Sequence, residues 1–177
     1  MKSMIKPIIA IAVAALVLLG SGMGLSKIAA VNSEKELNEM LATVLPGNTS
    51  FEWEEYDGED EAIQAVYKGE TGVVIQIVAY GYAGNITLLV GVSNEGTVTG
   101  LVVRDLSETP GLGANALTDT EFLSQFLGTS GEAQVGENID AITGATVSSK
   151  AVTKAVNAAV AYVTGADTSS SATEWGG

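Results

Sequence analysis

The residues best suited to chemistry form one run, Asp140-Ala-Ile-Thr-Gly-Ala-Thr-Val-Ser-Ser-Lys150. From Thr143 to Ser148 it has three hydroxyl side chains, a glycine and an alanine, followed by a long helix-forming stretch. The first turn of a helix offers unpaired N–H groups and the positive end of the helix dipole, a natural seat for an anion. A threonine at such a place has two uses. It caps the helix, as hydroxyl residues commonly do, or it holds a phosphate. The spacing alone leaves both open.

A second glycine-rich run, Arg104-Asp-Leu-Ser-Glu-Thr-Pro-Gly-Leu-Gly-Ala-Asn115, contains the tight-turn pair Pro110-Gly111 and a further flexible point at Gly113. A loop of this kind can lay backbone amides and the Leu112 side chain against a flat ligand, or simply join a sheet to a helix. The chain has no cysteine and no histidine. Disulfides, thiolate metal sites and iron–sulfur clusters ligated by this chain are therefore excluded. The commonest general base and metal ligand is missing too. Redox chemistry on this chain must come from a bound organic cofactor. Seven acids between Glu52 and Glu61 lack the ligand spacing of a calcium loop and read as a solvated hairpin end. No metal site and no catalytic residue is expected.

Net charge is −13, and every acid lies after residue 33. Beyond residue 25 there are six basic and 21 acidic residues, a balance of −15. That charge repels nucleic acid and anionic lipid. The N-terminus differs: Lys2 and Lys6 precede nineteen uncharged residues, Pro7 to Leu25. As a helix these span roughly 28 Å, about one hydrocarbon core. The expectation is an uncleaved single-pass anchor over residues 1–26, with a cleaved signal peptide as the alternative. Both keep the lysines in the cytoplasm and place the acidic domain on the extracytoplasmic side. Residues 27–166 then form one domain, and 167–177 a flexible tail rich in serine and glycine.

The elements that must position the hydroxyl run are legible in outline. Ser33, with an acid three residues on, reads as the cap of an amphipathic helix with Leu37, Met40, Leu41 and Leu45 on one stripe, ended by Pro46-Gly47. Five β signals follow, at 51–57, 62–68, 72–82, 85–92 and 97–104, separated by glycine- and asparagine-rich turns. Hairpin spacing predicts a mainly antiparallel twisted sheet packed with helices, an α+β fold. A short helix is predicted over 118–127, with Phe122, Leu123, Phe126 and Leu127 on one side, and a polar loop over 128–138. The last helix is predicted over 147–163, with Val152, Val156, Ala159, Val160 and Val163 on its apolar stripe and Gly165 at its end.

The two motifs Ser107-Glu-Thr-Pro-Gly-Leu-Gly113 and Asp140-Ala-Ile-Thr-Gly-Ala-Thr146, in this order behind one apolar span, resemble the FMN-binding domain family. That family includes the G subunit of Rnf-type electron-transport complexes and a subunit of the sodium-pumping NADH:quinone reductase. The resemblance implies FMN esterified through its phosphate to Thr146. Thr143, Gly144 and Ala145 complete the motif, the last two being small enough to admit the phosphate. The amides of Val147, Ser148 and Ser149 face it, and Lys150 offsets its charge. Asp140 is part of the pattern read by a separate flavin transferase. Glu108, Thr109, Leu112 and Gly113 match the segment that lies along the isoalloxazine ring. Family members often have a histidine just before that segment; Leu106-Ser107 stand here instead.

The function implied is a membrane-anchored electron-relay subunit of an ion-translocating ferredoxin:NAD oxidoreductase, with no complete active site of its own. Its partners would be the other membrane subunits and the flavin transferase. A free-standing exported FMN carrier is the near alternative. A cofactor-free, surface-anchored binding domain, with Thr146 only a cap, is the distant one.

Overall fold

β-Branched residues crowd one another's χ1 in a helix and pack well on a pleated surface, and the middle of this chain is built from them. In the computed structural model, which describes residues 26–58, 60–82, 84–106 and 119–166 (side chains from 34 on, except 106), they form one five-stranded sheet. The strands are β1 (Glu52–Glu54), β2 (Ile63–Lys68), β3 (Gly72–Tyr80), β4 (Asn85–Ser93) and β5 (Val98–Leu106). Each pairs antiparallel with the next, so the spatial order is the chain order. The helices are α1 (Ser26–Val44), α2 (Thr120–Ser124) and α3 (Thr146–Thr164).

Cross-strand register sorts the side chains onto two faces. The pairs Ile75↔Val90, Ile77↔Leu88, Ala79↔Ile86 and Val90↔Leu101 set one face, and α3 packs on it through Val152, Val156, Ala159 and Val160. Ile75, Ile77, Leu88 and Val90 are fully buried there, so emptying a site such as Leu88→Ala would cost about 2–5 kcal/mol. Phe122 and Phe126 join the same core edge-to-face, their ring centroids 5.3 Å apart. α3 ends as expected at Gly165, whose φ of 69° lets its N–H reach the Ala161 carbonyl.

The other face takes the end of α1. Gly91 and Gly100 are register partners, and a Cβ on either would fall 2.0 Å or 2.5 Å from Val44 backbone atoms. The glycine pair thus lets a helix end lie directly on two strands, fastened by the Thr99 hydroxyl donating to the Val44 carbonyl at 2.6 Å. Buried Asn48 then ties the following turn to the β2–β3 hairpin. Its Oδ1 accepts from Glu70 and Thr71 N–H, and its Nδ2 donates to Leu45 O and Thr71 Oγ1. No buried side-chain polar atom among the described residues lacks a partner.

Contacts divide the chain after Glu39, and the sheet with α2 and α3 belongs to the unit Met40–Gly177. Three expectations need correction. Ser33 is not a cap, because α1 already runs from Ser26 through it. The first β signal shrinks to three exposed residues, an edge strand whose charges discourage further pairing. Leu127 is half exposed rather than on the apolar stripe, because α2 ends at Ser124. The residues after it are wound by tighter i→i−3 bonds, from Leu127 N to Ser124 O at 3.2 Å for instance. Among the described residues no helix is long and apolar enough to cross a membrane. The expected span, 7–25, and the expected tail, 167–177, lie outside the described residues.

Candidate functional site

The hydroxyl run sits at the start of α3, and the chain leading into it is fastened at several points. Gln125, just after α2, holds both backbone polar groups of Asp140. Its Oε1 accepts from Asp140 N–H at 2.7 Å and its Nε2 donates to Asp140 O at 3.3 Å. Asn157 of α3 brackets Ala133 in the same way, at 3.2 and 2.8 Å. Ala145 N–H then donates to Ile142 O at 2.9 Å, closing a four-residue turn. Gly144 is its third residue with φ 81°, the left-handed value a type II turn demands there.

Helix α3 follows without a side-chain cap. The N-cap position is Ala145, which cannot supply one, and Thr146 is the first helical residue rather than the cap. Its side chain is exposed and makes no hydrogen bond among the described residues. The Thr146 and Val147 amides likewise have no hydrogen-bond partner among the described residues. Ser149 N–H differs from expectation: it donates to Ala145 O at 2.9 Å and is not open to an anion. Thr143, Gly144, Val147 and Lys150 are exposed around Thr146, and Asp140 is exposed at the entry. Lys150 stands one turn along from Thr146 and forms no ion pair among the described residues.

Two residues have roles that the sequence reading missed. Ser148 and Ser149 are 1% and 0% exposed, and their hydroxyls point inward. Ser149 Oγ accepts from Ile142 N–H at 3.1 Å and donates to Ala145 O at 2.9 Å. Ser148 Oγ accepts from Tyr82 N–H, in the β3–β4 hairpin, at 3.3 Å. The spacing held a clue: Ser149 precedes Val152 and Val156 by three and seven residues, so it shares their buried stripe.

The second motif, with Glu108, Thr109, Leu112 and Gly113, lies outside the described residues. Either side of it, β5 and α2 enclose an apolar cleft of about 320 Å³ lined by Leu101, Val103, Leu123 and Leu127 among others. Among the described residues no cluster of acids could hold a metal ion.

The residues present at the head of α3 fit a phosphate. An exposed hydroxyl stands beside two amides that have no partner among the described residues, at the positive end of a 19-residue helix with no side-chain cap competing for them. A lysine one turn on adds a cation.

The FMN-binding domain family matches residues 81–161, from the β3–β4 hairpin into α3. The G subunit of the ion-translocating oxidoreductase complex of Methanosarcina acetivorans is 36% identical over 143 residues, covering 73% of this chain and 76% of the relative. The G subunit of the proton-translocating ferredoxin:NAD(+) oxidoreductase complex of Clostridium ljungdahlii is 42% identical over 109 residues, covering 56% of this chain and 58% of the relative. A crystal structure of Shewanella oneidensis NqrC aligns with a TM-score of 0.46 and 21% identity, covering 73% of this chain and 74% of that one.

Proposed function

The chain belongs to the FMN-binding domain family, with the G subunits of ion-translocating oxidoreductase complexes, and on that premise we propose that it is the subunit that relays electrons through FMN bound covalently at Thr146. The observation that carries the reading is the start of α3. Among the described residues, the Thr146 hydroxyl and the Thr146 and Val147 amides have no partner, and they share one exposed helix end that no side chain caps. FMN supplies the electron-transfer chemistry; the protein supplies its fixture. Thr146 and Val147 N–H would hold phosphate oxygens, Lys150 would offset their charge, and Gly144 and Ala145 would leave room.

The bond formed is Thr146 Oγ1–phosphorus, which requires a donor whose phosphorus bears a leaving group. A flavin dinucleotide meets that need: the threonine hydroxyl displaces adenosine monophosphate, which leaves with the hydroxyl proton. A flavin transferase would direct that exchange, reading Asp140 with the rest of the motif. Glu108, Thr109, Leu112 and Gly113 would lie along the ring.

Residues 1–26 would anchor the chain in the cell membrane with its domain outside the cytoplasm. Its partners would be the other membrane subunits of an ion-translocating ferredoxin:NAD oxidoreductase. In membranes expressing the whole complex, reduced ferredoxin should bleach the flavin absorbance assigned to this subunit. Bleaching of the same size with Thr146→Ala would contradict the relay.

A further inference from the structure

We propose that Ser149 is a positioning residue for flavin attachment: its buried hydroxyl locks the Ile142–Ala145 turn onto α3 from beneath and so sets the stance of the Thr146 hydroxyl. This rests on the reading of Thr146 as the attachment point.

A helix start is ordinarily stiffened by its N-cap side chain, which bonds the amide two or three residues on. That device would occupy the amides a phosphate needs. Here the N-cap is Ala145, and the amides of Thr146 and Val147 have no partner among the described residues. The turn still has to be held, because a reacting hydroxyl misplaced by about 1 Å can lose 100-fold in rate. Ser149 holds it from the opposite side. Its single oxygen accepts Ile142 N–H at 3.1 Å and donates to Ala145 O at 2.9 Å, so it touches both ends of the turn that presents Thr146. At 0% exposed it cannot trade either bond for water. Without the hydroxyl, Ile142 N–H is left without its partner and only the Ala145 end of the turn stays tied to α3, through the Ser149 N–H bond to Ala145 O at 2.9 Å. Ser148 does related work at longer range, joining the same helix turn to the β3–β4 hairpin through Tyr82 N–H.

Thr153 provides a built-in control. It is 5% exposed, and its hydroxyl donates to Ser149 O at 2.8 Å, one turn further along the same helix. Thr153→Ala removes a buried hydrogen bond of the same kind and lowers stability comparably, but leaves the turn untouched.

The test follows attachment to the full-length chain co-expressed with a flavin transferase, by intact mass over time, beside melting temperature. If the wild-type chain acquires no FMN adduct, the proposed function fails and Ser149 is not at issue. Given a wild-type adduct, Ser149→Ala and the near-isosteric Ser149→Cys should each slow attachment at least tenfold. The loss should lie in the maximal rate and not in the half-saturating concentration of the chain. Thr153→Ala should load at the wild-type rate despite a similar melting temperature. The inference is overturned if both Ser149 variants load like wild type. It is equally overturned if Thr153→Ala slows as much as they do, because attachment would then track stability alone.

Discussion

Two helices of this domain begin in opposite ways. Helix α2 is only five residues long, yet its start is fully dressed: Asp119 Oδ1 accepts from Glu121 N–H at 2.9 Å, and a glutamate sits in the first turn. Helix α3 is 19 residues long and packs across the sheet, but its start has an alanine at the cap and no acid in the first turn. The short helix needs its cap, since a single turn has little else to stabilise it. The long one is stabilised by burial of Val152, Val156 and Val160 and tolerates an open end. Where a fold can spare the cap and still omits it, the amides are available for something else. An acid near the open end of α3 would stabilise the bare helix and repel a phosphate, so its absence there points the same way.

Giving α3 a capped start like that of α2 should have the largest effect. Ala145→Asp puts a carboxylate at the cap position beside the amides, at a cost in stability because Ala145 is buried, and flavin loading should fall at least tenfold while the far-ultraviolet circular dichroism stays that of the wild type. Full loading of that variant would mean the open amides are irrelevant. Gly144→Ala tests the turn that precedes them. A side chain at φ 81° costs about 1–2 kcal/mol, so denaturant unfolding should show that loss together with slower loading. The reciprocal change is Asp119→Ala, which should cost about 1 kcal/mol through the lost cap and leave loading at the wild-type rate. Slower loading there would mean the two helix starts are not independent.

The smallest effect expected is one of pH, far from the motif. Partial burial pushes the Tyr162 phenol above its ordinary value; the nearby Glu54 charge adds to this and Lys68 opposes it. The folded chain therefore holds that proton more tightly than the unfolded one. Its contribution to stability is complete below the ordinary phenol value of about 10 and is lost as pH rises through the folded value. Tyr162→Phe should flatten the fall in melting temperature above about pH 10. An unchanged slope would remove Tyr162 from the alkaline transition.

Much of this architecture is legible because it is local. The runs 72–82, 85–92 and 97–104 announce strands through β-branched residues between glycine turns, and Gly165 announces the end of α3. What the sequence hides is set by distant partners or by what lies just upstream. Ser33 has the spacing of a capping box with Glu36, but helix-compatible Ile28, Ala29 and Ala30 precede it, so α1 simply continues through. Leu127 fits a 3.6-residue stripe and fails on a tighter turn. At the site, Thr146 stands out because small residues and hydroxyls cluster at a helix start. The inward bonds of Ser148 do not, since its partner Tyr82 is 66 residues away. Nor does the grip of Gln125 on Asp140, across 15 residues of loop. The close seat of Val44 on Gly91 and Gly100 is equally invisible until the sheet register pairs those glycines.

The open start of α3 is the proposed place where a flavin is joined to the chain. Intact mass of the full-length protein, purified with and without a co-expressed flavin transferase, tests it most directly. One FMN-phosphoryl increment should appear only with the transferase and should be absent from Thr146→Ala, whose melting temperature should match the wild type because the Thr146 side chain is exposed and makes no hydrogen bond among the described residues. An unmodified wild-type chain, or an increment that persists in Thr146→Ala, would contradict it.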